Sequence, residues 1–229
     1  MSSAYSRFHR TLEISAISLF GAFAGGLAWK LATTLDGSAA WIVLGASIVT
    51  GYVVADLVSG IGHWLADRYG SETMPLLGTH FIRPFREHHL DPKAIAQHDF
   101  IETNGSNCIA SAPLMALVFF SLPMMDSLVT IFVLGATLAF SLAIFATNQF
   151  HKWAHMAAPP RAAQLLRKCS LILTPEHHDL HHEAPFDRNY CITVGWWNPL
   201  LDGLRLFERI EACLTFVRGT RPAEVQRSS

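Results

Sequence analysis

The chain has 229 residues, with 17 Lys and Arg against 18 Asp and Glu, a net charge of −1. That balance argues against a nucleic-acid binder, which carries a strong basic excess, and a hydrophobic content of 51% excludes a disordered chain. Charged residues make up only 15%, against about 25% in an average soluble domain, so part of the surface is expected to face lipid. The length fits one domain, residues 1–229.

In chain order, apolar runs cover about residues 12–35, 39–61, 108–125 and 128–146. Roughly 20 helical residues at about 1.5 Å each cross a hydrocarbon core of about 30 Å. Runs one, two and four reach that length; the third is shorter and carries Pro113 and Pro123. The first run is too long for a leader, lacks a clear small-residue cleavage site and is followed at once by a second span. Short turns, residues 33–38 and 126–127, join the spans in pairs. Both termini and the segments 62–107 and 148–229 then share one side. Sixteen of the 17 Lys and Arg fall on that side; the exception, Lys30, is expected to snorkel. The positive-inside rule makes that side cytoplasmic. The expected fold is an all-α integral membrane protein of about four transmembrane helices with a cytosolic histidine-rich helical cap, in a bacterial inner membrane or the endoplasmic reticulum. The four cysteines, Cys108, Cys169, Cys191 and Cys213, form no CxxC motif. They read as packed thiols in a reducing compartment rather than a zinc ribbon or redox pair.

All twelve histidines lie on the cytoplasmic side of this scheme. His9 stands alone in the N-terminal tail and reads as a solvated interface residue. The others form two blocks: His63, His80, His88, His89 and His98, then His151, His155, His177, His178, His181 and His182. The spacing of His63 and Asp67, and of His151 and His155, places each pair on one helix face. In His177-His178-Asp179-Leu180-His181-His182, a helix gathers the four rings within about 140°, with His177 at one edge. His88 and His89 can serve two neighbouring metals. Clustered imidazoles repel when protonated and ligate metal when neutral, so metal binding is expected; His80, outside every cluster, is read as structural. The ligands are too many for one zinc ion, no HExxH motif occurs, and haem takes isolated axial histidines. Imidazole suits iron, and two irons with open positions for O₂ can attack an unactivated C–H bond.

Histidine clusters at the ends of a four-span bundle resemble those of membrane fatty-acid desaturases and hydroxylases. Longer strings are similar to the lipid-desaturase family of plasmanylethanolamine desaturases: His63-Trp64 with Asp67, Phe81 to Pro92 around His88-His89, His98 to Gly105, Asn148 to His155, and His177 to His182 with Tyr190 to Trp196. The resemblance covers about Asp56 to Asn198. It implies an O₂-dependent enzyme with two iron ions, fed by an electron donor such as cytochrome b5 or ferredoxin. Its substrate would be a membrane phospholipid, an ether lipid whose 1-O-alkyl chain becomes a vinyl ether. An acyl-lipid desaturase, a hydroxylase on the same site and a metal transporter are the alternatives. The ligand set expected is His63, Asp67, His88, His89, His98, His151, His155, His178, His181 and His182. His98 enters because Phe85 stands where the wider HxxHH pattern has its leading histidine.

Around the ligands, His177, Asp56, Glu87, Asp99, Glu102, Asn104 and Asn148 are candidates for orienting them. Arg83, Arg86 and Lys93 are candidates for a phospholipid phosphate, and Phe119, Phe120, Phe140 and Phe145 for an alkyl-chain tunnel. The stretch Trp196 to Phe207 is expected to lie as one helix at the membrane interface.

Overall fold

The computed structural model describes residues 6–75, 77–122 and 127–219, and every regular element among them is helical. Pro123, Asp126, the polar tail beyond Gly219 and the His80 side chain lie outside the described residues. The long helices are α1 (Arg7–Thr34), α2 (Gly37–Arg68), α4 (Phe100–Ser121) and α5 (Leu128–Ala154). The short ones are α3 (Arg83–Leu90), α6 (Arg161–Lys168), α7 (Pro175–His181), α8 (Asn198–Gly203) and α9 (Leu206–Arg218). Helices α1, α2 and α5 are long and apolar enough to cross a membrane. The third predicted span differs. Its helix, α4, starts eight residues before the expected 108, capped by Asp99, whose carboxylate accepts from the amides of Ile101 and Glu102. That added length carries Glu102, Asn104 and Asn107, and α4 is not among the described helices long and apolar enough to cross a membrane.

The described residues fall into two compact units. The first comprises residues up to Ala55 and Asp99–Gln149. Its core joins Phe20, Leu27 and Leu31 of α1 to Met115 of α4 and Ile131 and Leu134 of α5. Small residues let α2 and α5 approach closely: a Cβ on Gly51 would sit 2.5 Å from the Ala136 carbonyl oxygen, and one on Gly135 would meet the Ser47 hydroxyl. Lys30 reaches from α1 to the end of α4. Its ammonium donates to the carbonyls of Phe119 (2.5 Å) and Leu122 (2.9 Å), closing the end of α4. His9 is buried rather than solvated, with Nε2 3.1 Å from Glu13. Phe119 and Phe145 pack on the core, whereas Phe120 is 76% exposed.

The second unit comprises Asp56–His98 and the chain from Phe150 onward. Helix α2 continues to Arg68 and α5 to Ala154, seven or eight residues past their predicted ends of 61 and 146, so His63, Asp67 and His151 sit on helical backbone. Helix α9 clamps α2: Phe207 stacks on Trp64 at 5.0 Å, and Glu211 accepts from Trp64 Nε1 and from Nε and Nη2 of the Arg68 guanidinium. The expected single interfacial helix is two, α8 and α9, broken where Arg205 takes φ +50°.

Candidate metal centre

Four elements bring nine side chains into two groups. Helix α3 continues directly from a π-helical turn (Gly78–Ile82), has Pro84 in its first turn and carries His88 and His89 in its last. Helix α7 is capped by Thr174, begins with Pro175, and turns His178 and His181 into the unit, with His182 at its C-cap. Helix α2 supplies His63 and Asp67, α5 supplies His151, and His155 follows directly after its end. One group is His88, His151, His155, His178 and His182; the other is His63, Asp67, His89 and His181. In each, donor atoms lie within 4.8 Å of one another and could hold a metal ion.

In the five-histidine group, Nε2 atoms converge. His151 lies 2.7 Å from His178, 2.9 Å from His88 and 3.3 Å from His155; His182 lies 2.9 Å from His178 and 3.1 Å from His88. A neutral ring offers either one N–H or one lone pair at Nε2, so five such atoms form at most two hydrogen-bonded pairs. Protonating more rings is opposed by burial and by the neighbouring imidazoles. Burial, then the other rings, holds His88 and His178 well below the ordinary histidine range, and lowers His155 to about 4 and His182 to about 2. Lone pairs converging without protons suit a cation.

The second group makes the same case through its tautomers. Carbonyls only accept, so His63 Nδ1–H donates to the Tyr190 carbonyl (3.1 Å) and His181 Nδ1–H to the Arg188 carbonyl (2.8 Å). The Nε2 of each neutral ring is then a lone pair. Both face Asp67 Oδ2, at 3.3 and 3.4 Å, and His89 Nε2 approaches the same oxygen at 3.0 Å. Asp67 Oδ1 and His63 Nε2 are buried with no hydrogen-bond partner among the described residues. Lone pairs facing a carboxylate repel unless a cation stands among them, so the residues fit a metal ion. This group has three nitrogens and a carboxylate oxygen, the other five nitrogens, so they are not equivalent.

The acceptors for His63 and His181 lie on an extended strap between α7 and α8. Its backbone amides are held largely by side chains. Asp56, fully buried, accepts from Val194 (2.8 Å), Gly195 (2.9 Å) and Trp197 (3.3 Å). Ser59 accepts from Ile192 and Thr193, and Asn198 both accepts from and donates to Cys191. At Gly60 a Cβ would come 2.4 Å from the Cys191 sulfur, so only glycine lets the strap lie this close. Asp56 therefore holds the strap and not a ligand ring, and reaches His63 and His181 through it. Backbone carbonyls leave no residue signature, so Arg188 and Tyr190 were not legible as partners; the signal available was the buried acid in an apolar run.

His98 joins neither group: it follows a 3-10 turn (Ala94–Gln97) with extended backbone, and its carbonyl accepts from Lys152. His177, at the edge of the α7 arc, is exposed and joins neither group. Glu87 pairs with Arg83 at 2.6 Å. Arg86 donates to the carbonyls of Ala66, Tyr69 and Gly70, tying α3 to the end of α2, and Lys93 is exposed. Asp99, Glu102, Asn104 and Asn148 belong to the first unit, where Asp99 pairs with Arg10, Asn104 donates to Phe100 and Asn148 to Ser106.

The lipid desaturase domain model matches residues 52–225, a stretch holding all nine side chains. The chain belongs to the lipid desaturase family. A Myxococcus xanthus protein named plasmanylethanolamine desaturase is 43% identical over 98% of this chain and 78% of its own length. The mouse plasmanylethanolamine desaturase 1 is 41% identical over 79% of this chain and 68% of its own. Fatty acid desaturase 4 of Arabidopsis chloroplasts is 35% identical over 75% of this chain and 52% of its own. No solved structure matches the chain. The protein is thus an oxidoreductase of the desaturase class, with helices fit to cross a membrane and two histidine-rich groups that could hold metal.

Proposed function

We propose that this desaturase converts the 1-O-alkyl chain of a plasmanylethanolamine into a vinyl ether, using two irons and O₂. The observation that carries it is the pair of adjoining donor groups, His88, His151, His155, His178 and His182 for one iron and His63, Asp67, His89 and His181 for the other. Two irons held there would supply the O₂ activation that breaks an unactivated C–H bond, chemistry beyond any side chain. The balance is alkyl ether plus O₂, two electrons and two protons, giving vinyl ether plus two waters, with the electrons from a carrier such as cytochrome b5 or ferredoxin.

The chain's own residues position and shield. The strap carbonyls of Arg188 and Tyr190 fix His63 and His181 with Nε2 directed inward. Phe186 lies edge-on to the His89 ring at 5.3 Å, and Phe85 lies 4.9 Å from the His63 ring, keeping water from the carboxylate group. Tyr190, buried and pushed well above the ordinary phenol range by desolvation, remains a neutral donor to the Phe186 carbonyl. The Lys and Arg asymmetry supports α4 as the fourth span and a cytoplasmic site. Cysteine at Ser38 should then label only from outside, and the exposed native Cys169 only from inside.

The test is to supply 1-O-alkyl phospholipid, O₂ and a reductant, then treat the product with acid. A vinyl ether releases a fatty aldehyde, and His181→Ala should release none. An acid-stable product two mass units lighter would identify an acyl desaturase. A product heavier by one oxygen would identify a hydroxylase, and unchanged lipid with metal flux a transporter.

A further inference from the structure

We infer that a cavity of about 260 Å³ lined by Asp187, Arg188, Asp202, Arg205, Leu206 and Glu208 receives the zwitterionic phosphate–ammonium headgroup of the lipid substrate. The inference rests on the reaction proposed above, which sets a distance. In an alkyl glycerophospholipid, six bonds separate phosphorus from the first carbon of the ether chain, a reach of at most about 8 Å. An enzyme that dehydrogenates the carbons beside the ether oxygen must hold the phosphate that close to its metal. An enzyme acting in mid-chain has no such constraint.

The cavity borders the strap that orients His181. Arg188 is one of its walls, and the Arg188 carbonyl is the acceptor 2.8 Å from the ring of His181. Its charges are mixed in the way such a headgroup requires. Two guanidiniums suit the phosphate, and the carboxylates of Asp187, Asp202 and Glu208 suit the ammonium. Arg188 and Arg205 pair with Glu183 and Glu208, but both pairs are solvent-exposed and exchange readily for a ligand. Asp202 is set deeper, and burial raises its carboxyl above the ordinary range, a cost that a cation would relieve. The wall is also strained. Arg205 in the wall holds φ +50°, and Phe186 and Asn189, which flank the wall residues Asp187 and Arg188 in the chain, hold +62° and +57°, though none is glycine. Leu206 of the lining, and Leu200 and Leu204 just before it in the chain, are exposed by 37% or more and offer apolar surface to the alkyl chain. The arginines read from the sequence as phosphate ligands are engaged elsewhere, Arg83 with Glu87 and Arg86 with helix carbonyls.

A phosphoglycerol headgroup brings the anion without the cation and leaves the carboxylates unpaired, so the cavity should select against it. The experiment measures binding of 1-O-alkyl lysolipids with phosphoethanolamine or phosphoglycerol headgroups to the metal-loaded protein in detergent. The wild type should prefer phosphoethanolamine by about tenfold or more. Asp202→Asn and Glu208→Gln should each cut that preference to about threefold or less, with metal content unchanged. Arg188→Gln with Arg205→Gln should weaken both lipids alike, and Arg83→Gln should change neither. A preference unaltered in Asp202→Asn and Glu208→Gln, or one abolished by Arg83→Gln, overturns the assignment. Binding needs no turnover. A collapsed preference in the variants of a protein that makes no vinyl ether would uphold the cavity and overturn the reaction instead.

Discussion

Replacing Asp56 with alanine tests how the strap governs the carboxylate-bearing group. The carboxylate accepts from three backbone amides at 2.8, 2.9 and 3.3 Å in a fully buried setting. Each donor left unsatisfied costs about 1–3 kcal/mol. Allowing the strap to relax, the total is about 3–6 kcal/mol, a large part of the ~5–15 kcal/mol that holds a domain folded. The cost should fall unevenly on the metal. The strap supplies the acceptors for His63 and His181, both in the group with Asp67, and outer partners of this kind are each worth about 10–100-fold in affinity. Weakening two should lower that group's affinity by at least about 100-fold, while the five-histidine group keeps its own. The assay is metal content after graded chelation, with circular dichroism to confirm the helices. Asp56→Ala should lose one metal of two at chelator levels that leave the wild type intact. Asp56→Asn, which keeps an oxygen for Val194 and Gly195 but sets an amide against Trp197, should fall between. Parallel loss of both metals with the helices intact, or retention of both, would refute the role given to the strap.

Acid should unfold the metal-free protein through its histidines. His155 titrates near 4 when folded and near 6.5 when unfolded, so the unfolded chain binds more protons between those values. Stability is full above about 6.5 and declines as the pH falls toward 4; a melting temperature flat over that window in chelated protein would contradict it. Gly51→Ala drives a methyl into the α5 backbone and should destabilise by about 1–3 kcal/mol, read as a lower inactivation temperature with unchanged metal stoichiometry. Glu211→Ala leaves Trp64 Nε1 and the Arg68 guanidinium without their acceptor and should cost about 2–4 kcal/mol. It should lower thermal stability while the five-histidine group keeps its metal.

The sequence by itself determined the helices and the chemistry. Apolar runs of spanning length and the i, i+4 pairing of His63 with Asp67 and His151 with His155 are local properties, fixed by helix pitch and readable without a partner. The HxxHH arc in α7 is legible for the same reason. Tertiary structure decided how the donors divide. Adjacency let His88 and His89 serve two metals, but nothing in the spacing says which group each enters, or that His181 and His182 part in the same way; neighbouring side chains diverge by about 100° on a helix, and which partner each meets depends on α2 and α5. The same holds for His98, which its string placed among ligands but its turn does not. The strap was hidden because it works through backbone carbonyls at Arg188 and Tyr190, which every residue possesses. Asp56 was visible as a buried acid, yet its task of holding amides 138 to 141 residues away exists only once the chain has folded, because hydrogen-bond partners are set by distance in space and not along the sequence.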